Sequence, residues 1–174
     1  MKQLIVFLGV FLISTSLFAQ NSQKIGFVDT QIILAQLPAA IKAQSDLDAI
    51  ISKWTKSRDS LTTILQADYA DFQKQQATMT PDKQREAQQS LVQMQQQIQD
   101  FEQQKFGQPN GEIYRKQEDL LSPVRQKIYQ AIDDVAKDEG MQFIFDKAGD
   151  VILLFADSQF DLTYKVLDKL KRGK

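Results

Sequence analysis

Two apolar runs with heptad spacing meet at Thr80-Pro81-Asp82, and their pairing limits the fold more than any other feature of the chain. In the first run Leu47, Ile51, Trp54, Leu61, Leu65, Phe72 and Met79 follow alternating steps of three and four, with Arg58, Asp68 and Gln75 at the intervening seam positions. That period marks a long helix packed along another helix. Pro81 cannot extend the hydrogen-bond ladder of the first run, but it suits the first turn of a new one. The second run restarts at once with Ala87, Leu91, Met94, Ile98 and Phe101. If the chain reverses near Thr80, Leu61 faces Phe101, Leu65 faces Ile98 and Phe72 faces Leu91. The expected element is an antiparallel coiled-coil arm over residues 39–122 with its tip near residue 80, on the order of 60 Å long at about 1.5 Å per residue. Two lone helices bury little surface, so the arm needs a base.

Composition agrees with a rod. Seventeen glutamines lie between Ala39 and Ser122, and glycine and proline are almost absent before Gly107. The exception is Phe106-Gly-Gln-Pro-Asn-Gly111. Inside a helix a proline costs about 3 kcal/mol and each glycine about 1 kcal/mol, so a kink or short break is expected there. Trp54 falls opposite. Two readings stay open: a tolerated bulge whose space the Trp54 ring fills, or a hinge at Gly107, Pro109 and Gly111 that lets the arm splay.

The two ends of the chain read as an α+β base, residues 20–38 and 123–174. Lys24-Ile-Gly-Phe-Val-Asp29 has the pattern of a short strand, followed by a helix from Gln31 to Leu37 that Asp29 or Thr30 can cap and Pro38 interrupts. Helix resumes through Pro123, a candidate kink, into Ile128, Ala131, Ile132 and Val135, and Gly140 ends it in the left-handed region. Residues 141–146 and 151–157 are expected to be two strands joined as a hairpin through Lys147-Ala-Gly-Asp150. Asp161 then caps a closing helix whose apolar face is Leu162, Val166, Leu167 and Leu170.

Strands that are apolar on both faces are buried on both faces. One small helix cannot cover them within a single copy, and open strand edges invite pairing with another chain. An oligomer whose strands close a small barrel is therefore expected, with Ile25, Phe27, Phe143, Phe145, Val151, Leu153 and Phe155 as candidate interface residues. The alternative is a monomer with an ordinary small α+β head.

Lys2, an apolar run over residues 4–18 and Ala19 describe a secretory signal peptide over residues 1–19, although Leu17 sits where a small residue is preferred. The run is shorter than the roughly twenty residues of a membrane span; an uncleaved anchor is the alternative. Removal of Lys2 takes the basic residues from 21 to 20 against 22 acidic ones, a net charge of −2 for a mature chain starting at Gln20. Such a balance supplies no long-range attraction to nucleic acid or anionic membrane. With no cysteine and no histidine, the chain has no disulfide, no thiol nucleophile and none of the usual zinc ligands. No glycine-rich phosphate loop or dinucleotide fingerprint occurs. The acidic pairs Glu118-Asp119 and Asp133-Asp134 point apart on a helix and read as a solvated face, and Asp146, Lys147 and Asp150 read as turn residues. No enzymatic activity, metal or cofactor is expected.

The chain resembles the Skp/OmpH family of periplasmic chaperones. The resemblance is carried by Lys-Ile-Gly-Phe-Val-Asp-Thr at residues 24–30, Ile33-Leu-Ala-Gln-Leu-Pro38, Leu120-Leu-Ser-Pro-Val124, Ala131-Ile-Asp-Asp-Val-Ala136, Gly140-Met-Gln-Phe-Ile-Phe-Asp146 and Asp161-Leu-Thr-Tyr-Lys-Val-Leu167. It implies a periplasmic homotrimer with a nine-stranded body and three helical arms around a cavity. It also implies ATP-independent capture of unfolded outer-membrane proteins in that cavity. The apolar residues off the seam, Ile50, Ile64, Tyr69 and Val92, together with Met79 at the tip, are the candidate client contacts; padding of the hairpin is their other reading. Known members are strongly basic whereas this chain is slightly acidic, which weakens the ground for contact with lipopolysaccharide or anionic lipid. The interruption at residues 107–111 is a second departure. A competing reading is a structural or adaptor coiled coil of the envelope that binds a folded partner.

Overall fold

The computed structural model describes residues 23–173, so the expected leader lies outside the described residues. Strand β1, Ile25–Val28, leads into helix α1, Thr30–Gln36. Asp29 caps α1, its side chain accepting from the Ile32 amide at 3.0 Å. Helix α2, Pro38–Gln75, starts on Pro38, where a missing N–H costs nothing because no carbonyl waits for it. A single 3₁₀ turn at Gln76–Thr78 reverses the chain into helix α3, Pro81–Phe106. Thr80 caps α3 by accepting from the Lys83 amide, and Gln84 Nε2 reaches back across the turn to the Gln76 carbonyl at 2.7 Å. After a short break, helix α4, Glu112–Glu139, passes through Pro123 without interruption and ends on Gly140 at φ 66°, ψ 33°. Strand β2, Phe143–Asp146, and helix α5, Thr163–Arg172, complete the chain.

The strands form a parallel pair in which Ile25 faces Phe143 and Val28 faces Asp146. Parallel neighbours need a long crossover. Here the crossover is the whole arm. Asp146 fastens its two ends: its carboxylate accepts from the Thr30 amide at 3.2 Å, the Thr30 hydroxyl at 2.6 Å and the Ala148 amide at 3.0 Å. On the other side of β1, the Leu162 amide donates to the Phe27 carbonyl at 2.9 Å. Thr163, fully buried, accepts from the Asp29 amide at 2.9 Å, so the closing helix is tied to the first turn of α1.

The core sits among these elements. Val28, Ile33, Leu37, Ile128, Val135, Leu162, Val166 and Leu167 are buried there, joined by Ala40 and Ala43 from the root of α2. Helix α2 buries nothing beyond Leu47, and α3 buries no residue at all. Along the arm, seam residues such as Leu61, Leu65, Phe72, Leu91, Ile98 and Phe101 are half-buried. The two-helix seam expected from the heptads is thus present. Its register differs slightly from the expected one, because Trp54 meets Phe106 and Arg58 reaches Glu102. Both pairs place the fold-back on Thr80 itself, where the 3₁₀ turn and the Thr80 cap tighten the reversal.

The expected hairpin does not form. Residues 151–157 carry no strand, and the chain runs irregularly from Lys147 to the 3₁₀ turn Ser158–Phe160. Gly149 and Asp146 still close a turn, but β2 takes β1 as its partner instead of the following segment. The physical reason is burial: pairing along the edge of β1 sets Ile144 of β2 against the core, whereas residues 151–155 stay largely exposed in the same copy. Asp161 also differs from its expected role, since the cap position of α5 is Leu162 and Asp161 accepts only from the Thr163 amide at 2.9 Å.

Because burial is confined to the base, truncations should act very unequally. Ile128→Ala is expected to lower stability by about 2–5 kcal/mol, as for other fully buried aliphatics. Ile64→Ala should stay within about 0.5 kcal/mol. Urea unfolding followed by circular dichroism at fixed protein concentration measures both; equal losses would contradict this distribution of the core.

Candidate functional site

Three kinds of surface stand out among the described residues. The first lies along the arm. Of the off-seam residues singled out in the sequence, Ile64, Tyr69 and Val92 stand 45 %, 53 % and 66 % exposed. Ile50 and Met79 are half-buried, so the helix pair covers part of both. Tyr69 and Val92 border a shallow groove between α2 and α3 toward the tip, floored by Leu65, Phe72 and Leu91 and edged by glutamines. Apolar groups in solvent beside flexible amides suit loose contact with extended apolar chain.

The second surface is on the base. Val151, Ile152, Leu154 and Phe155 are 50 %, 84 %, 95 % and 87 % exposed, and Leu153 is half-buried. Ile25 and Phe143, partners across the ladder, are also about half exposed at 46 % and 50 %. Phe145 is half-buried. Phe27, on the same face of β1 as Ile25, is only 7 % exposed within one copy. Beyond β1, β2 has no further strand beside it among the described residues. The patch therefore combines an open strand edge with a run of solvent-exposed aliphatic and aromatic side chains.

The third is the break in the return helix. Helix α3 ends at Phe106 and α4 begins at Glu112, with a cis peptide between Gln108 and Pro109. The turn is tight: the Gly111 amide donates to the Gly107 carbonyl at 2.6 Å, and a Cβ on Gly111 would lie 2.8 Å from that same carbonyl oxygen. A Cβ on Gly107 would run into the Gln103 carbonyl. Lys105 bridges the gap to Glu112 at 2.7 Å, with side chains only 19 % and 23 % exposed, the least exposed ion pair among the described residues. Trp54, on the unbroken helix opposite, meets Phe106 edge to face with centroids 6.0 Å apart and lies 5.2 Å beneath the Lys105 ammonium. The Lys105 hydrogen bond holds the Glu112 carboxyl below the usual glutamate range, against a smaller opposing effect of burial and with help from the charges of Lys105, Arg115 and Lys116.

Sequence reasoning placed Trp54 beside the break but missed the Lys105–Glu112 bridge. Seven residues apart across a glycine-proline turn, the pair has no helical spacing to signal it. It also read Asp146 as an ordinary turn residue. The Asp-Lys-Ala-Gly string does signal a carboxylate folding back on the amide two residues on, yet its bond to Thr30 belongs to the tertiary fold.

Among the described residues no cluster of three or more acidic side chains is placed to hold a metal, and no helix is long and apolar enough to cross a membrane. The arrangement is that of a coiled-coil arm set on a small mixed base. The chain belongs to the OmpH-like family: residues 24–170 match the family described as "Outer membrane protein (OmpH-like)". A crystal structure of an OmpH-like protein from Caulobacter crescentus CB15, put forward as an outer membrane chaperone, is similar in fold with a TM-score of 0.73. The match covers 91 % of this chain and 92 % of that one at 15 % sequence identity. Comparison with curated protein sequences yields no match.

The lowered Glu112 pKa makes the contribution of this ion pair depend on pH. Stability from the Lys105–Glu112 pair is complete above the ordinary glutamate range and is lost as pH falls through the lowered value. Carbon-detected NMR titration should find the Glu112 carboxyl ionising below a peptide glutamate in the native protein, and returning toward it in Lys105→Met. An unshifted carboxyl in the native protein would contradict the bridge.

Proposed function

We propose that this protein is an ATP-independent holding chaperone of the periplasm that keeps unfolded outer-membrane proteins from aggregating in a cavity between the arms of a homotrimer. The observation that carries this reading is the arm itself: a rod with no buried core beyond Leu47 that leaves Ile64, Tyr69 and Val92 in solvent. A holder needs many weak contacts that release readily, and each apolar side chain contributes at most about 1.5–3 kcal/mol. Membership of the OmpH-like family and the fold shared with a protein put forward as an outer membrane chaperone point the same way.

The base supports the association. Residues 151–155 expose too much apolar surface to be stable in solvent, and the open edge of β2 offers backbone partners. The segment that forms no strand within one copy is read here as the strand added between copies, closing the body. Ile25 and Phe143 then lie inside the assembly. Signal-peptide removal near Ala19 would place the mature chain in the compartment where such clients arrive.

A denatured outer-membrane β-barrel diluted from urea should remain soluble at about one trimer per client, without nucleotide. Aggregation that proceeds unchanged at excess protein removes the reading. Replacing Ile64, Tyr69 and Val92 together by Ser should weaken holding roughly tenfold or more, since about 1.4 kcal/mol is a factor of ten, while leaving association intact. Phe155→Asp should instead dissociate the trimer in sedimentation velocity, and deletion of residues 57–102 should leave an associated base that holds nothing. A stable complex with one folded envelope protein and no preference for unfolded chains would favour the adaptor.

A further inference from the structure

The arm is a rod with one continuous rail and one divided rail. Helix α2 runs unbroken from Pro38 to Gln75, whereas its partner is split between α3 and α4 at residues 107–111. When a two-rail rod bends, one rail must shorten or lengthen relative to the other. Unbroken helices resist this, because each residue is fixed to its neighbours by the ladder of hydrogen bonds. A divided rail can absorb the change at its gap. The arm therefore has one place where bending is cheap, and it lies beside Trp54, near the root.

That place is not left loose. Lys105, in the last turn of α3, and Glu112, in the first turn of α4, are joined across the gap at 2.7 Å. The ammonium also rests over the Trp54 ring of the continuous rail, and Phe106 packs edge-on against the same ring. Both halves of the divided rail are thus fastened to each other, and the distal half is fastened to the continuous rail. Of the other ion pairs of the arm, Arg58–Glu102 at 3.9 Å ties α3 to α2 but does not span the gap, and Lys42–Asp46, Lys74–Asp71 and Arg85–Asp82 lie within one helix turn and are far more exposed.

We infer that Lys105, Glu112 and Trp54 form a latch that holds the arm at one angle, and that releasing it lets the arm bend at residues 107–111 in the plane of its two helices. From Trp54 to the Thr80 tip is about 40 Å at 1.5 Å per residue, so a turn of about 10° there carries the tip on the order of 7 Å. On the chaperone reading above, which this consequence rests on, the latch sets how widely the cavity opens. The latch itself stands independently of that reading.

The absence of cysteine allows a clean test, because introduced thiols are the only ones to label. Gln130→Cys in the base and Ser90→Cys in the arm, both exposed, carry spin labels, and unlabelled protein is mixed in excess so that only distances within one copy are read. The native latch should give one narrow distance distribution. Lys105→Met and Glu112→Gln should each broaden it at least twofold with unchanged helix content by circular dichroism. The exchanged pair, Lys105→Glu with Glu112→Lys, should narrow it again. A distribution already broad in the native protein, or equally narrow in both single variants, overturns the latch. A variant that broadens the distribution while the native protein fails to hold clients would keep the latch and remove the chaperone reading.

Discussion

Everything in this molecule depends on burial being confined to one end. A parallel pair of four-residue strands would be marginal alone. It persists because β1 and β2 lie over Ile33, Ile128, Leu162 and Val166, and because Asp146 and Thr163 tie strand ends to helix starts. From that anchorage the chain departs at Ala40 and returns at Val124, and what lies between is held by a single seam. A seam of half-buried side chains cannot repay the conformational entropy of some eighty residues by itself. The arm is ordered as an extension of the base.

Most of this was legible in the sequence. Heptads in two phases separated by Pro81 specify an antiparallel hairpin because only that geometry buries both seams at once. Gly140, in the left-handed region, and Asp29, capping α1, act where local chemistry alone demands them. What failed was the hairpin over residues 141–157. Two neighbouring apolar stretches with a glycine turn between them satisfy every local rule for strand pairing. Local rules say nothing about a third stretch, residues 25–28, more than a hundred residues away, which competes for the same edge and wins because it brings the core with it. Periodicity shows that a residue is buried, while what buries it is decided by tertiary pairing. Of the candidate site, the exposed residues could be inferred from the heptad phase, and Ile50 and Met79 show the limit of that inference, because a helix pair also shelters positions beside its seam.

Base and arm present opposite solutions to apolar surface in water. At the base, exposed apolar residues follow one another at 151–155 and β2 has an open edge, and backbone pairing with another copy would satisfy both. On the arm they are scattered among glutamines and too sparse for a stable helix-to-helix interface. The first pattern suits permanent association and the second transient contact. The break at residues 107–111 belongs to neither. It spends helix length on a tight turn and then recovers order through Lys105, Glu112 and Trp54, which gives a long rod a single defined place of compliance.

Hydrogen exchange read by mass spectrometry tests the confinement of burial most directly. Peptides from α4 between Val124 and Val135, packed on the core, should exchange by global opening and be the slowest in the molecule. Peptides between residues 57 and 102 should exchange orders of magnitude faster, by local opening, despite being helical on both sides of the turn at residues 76–80. Protection that is uniform from base to tip would mean that the arm carries stability of its own, and would contradict the account.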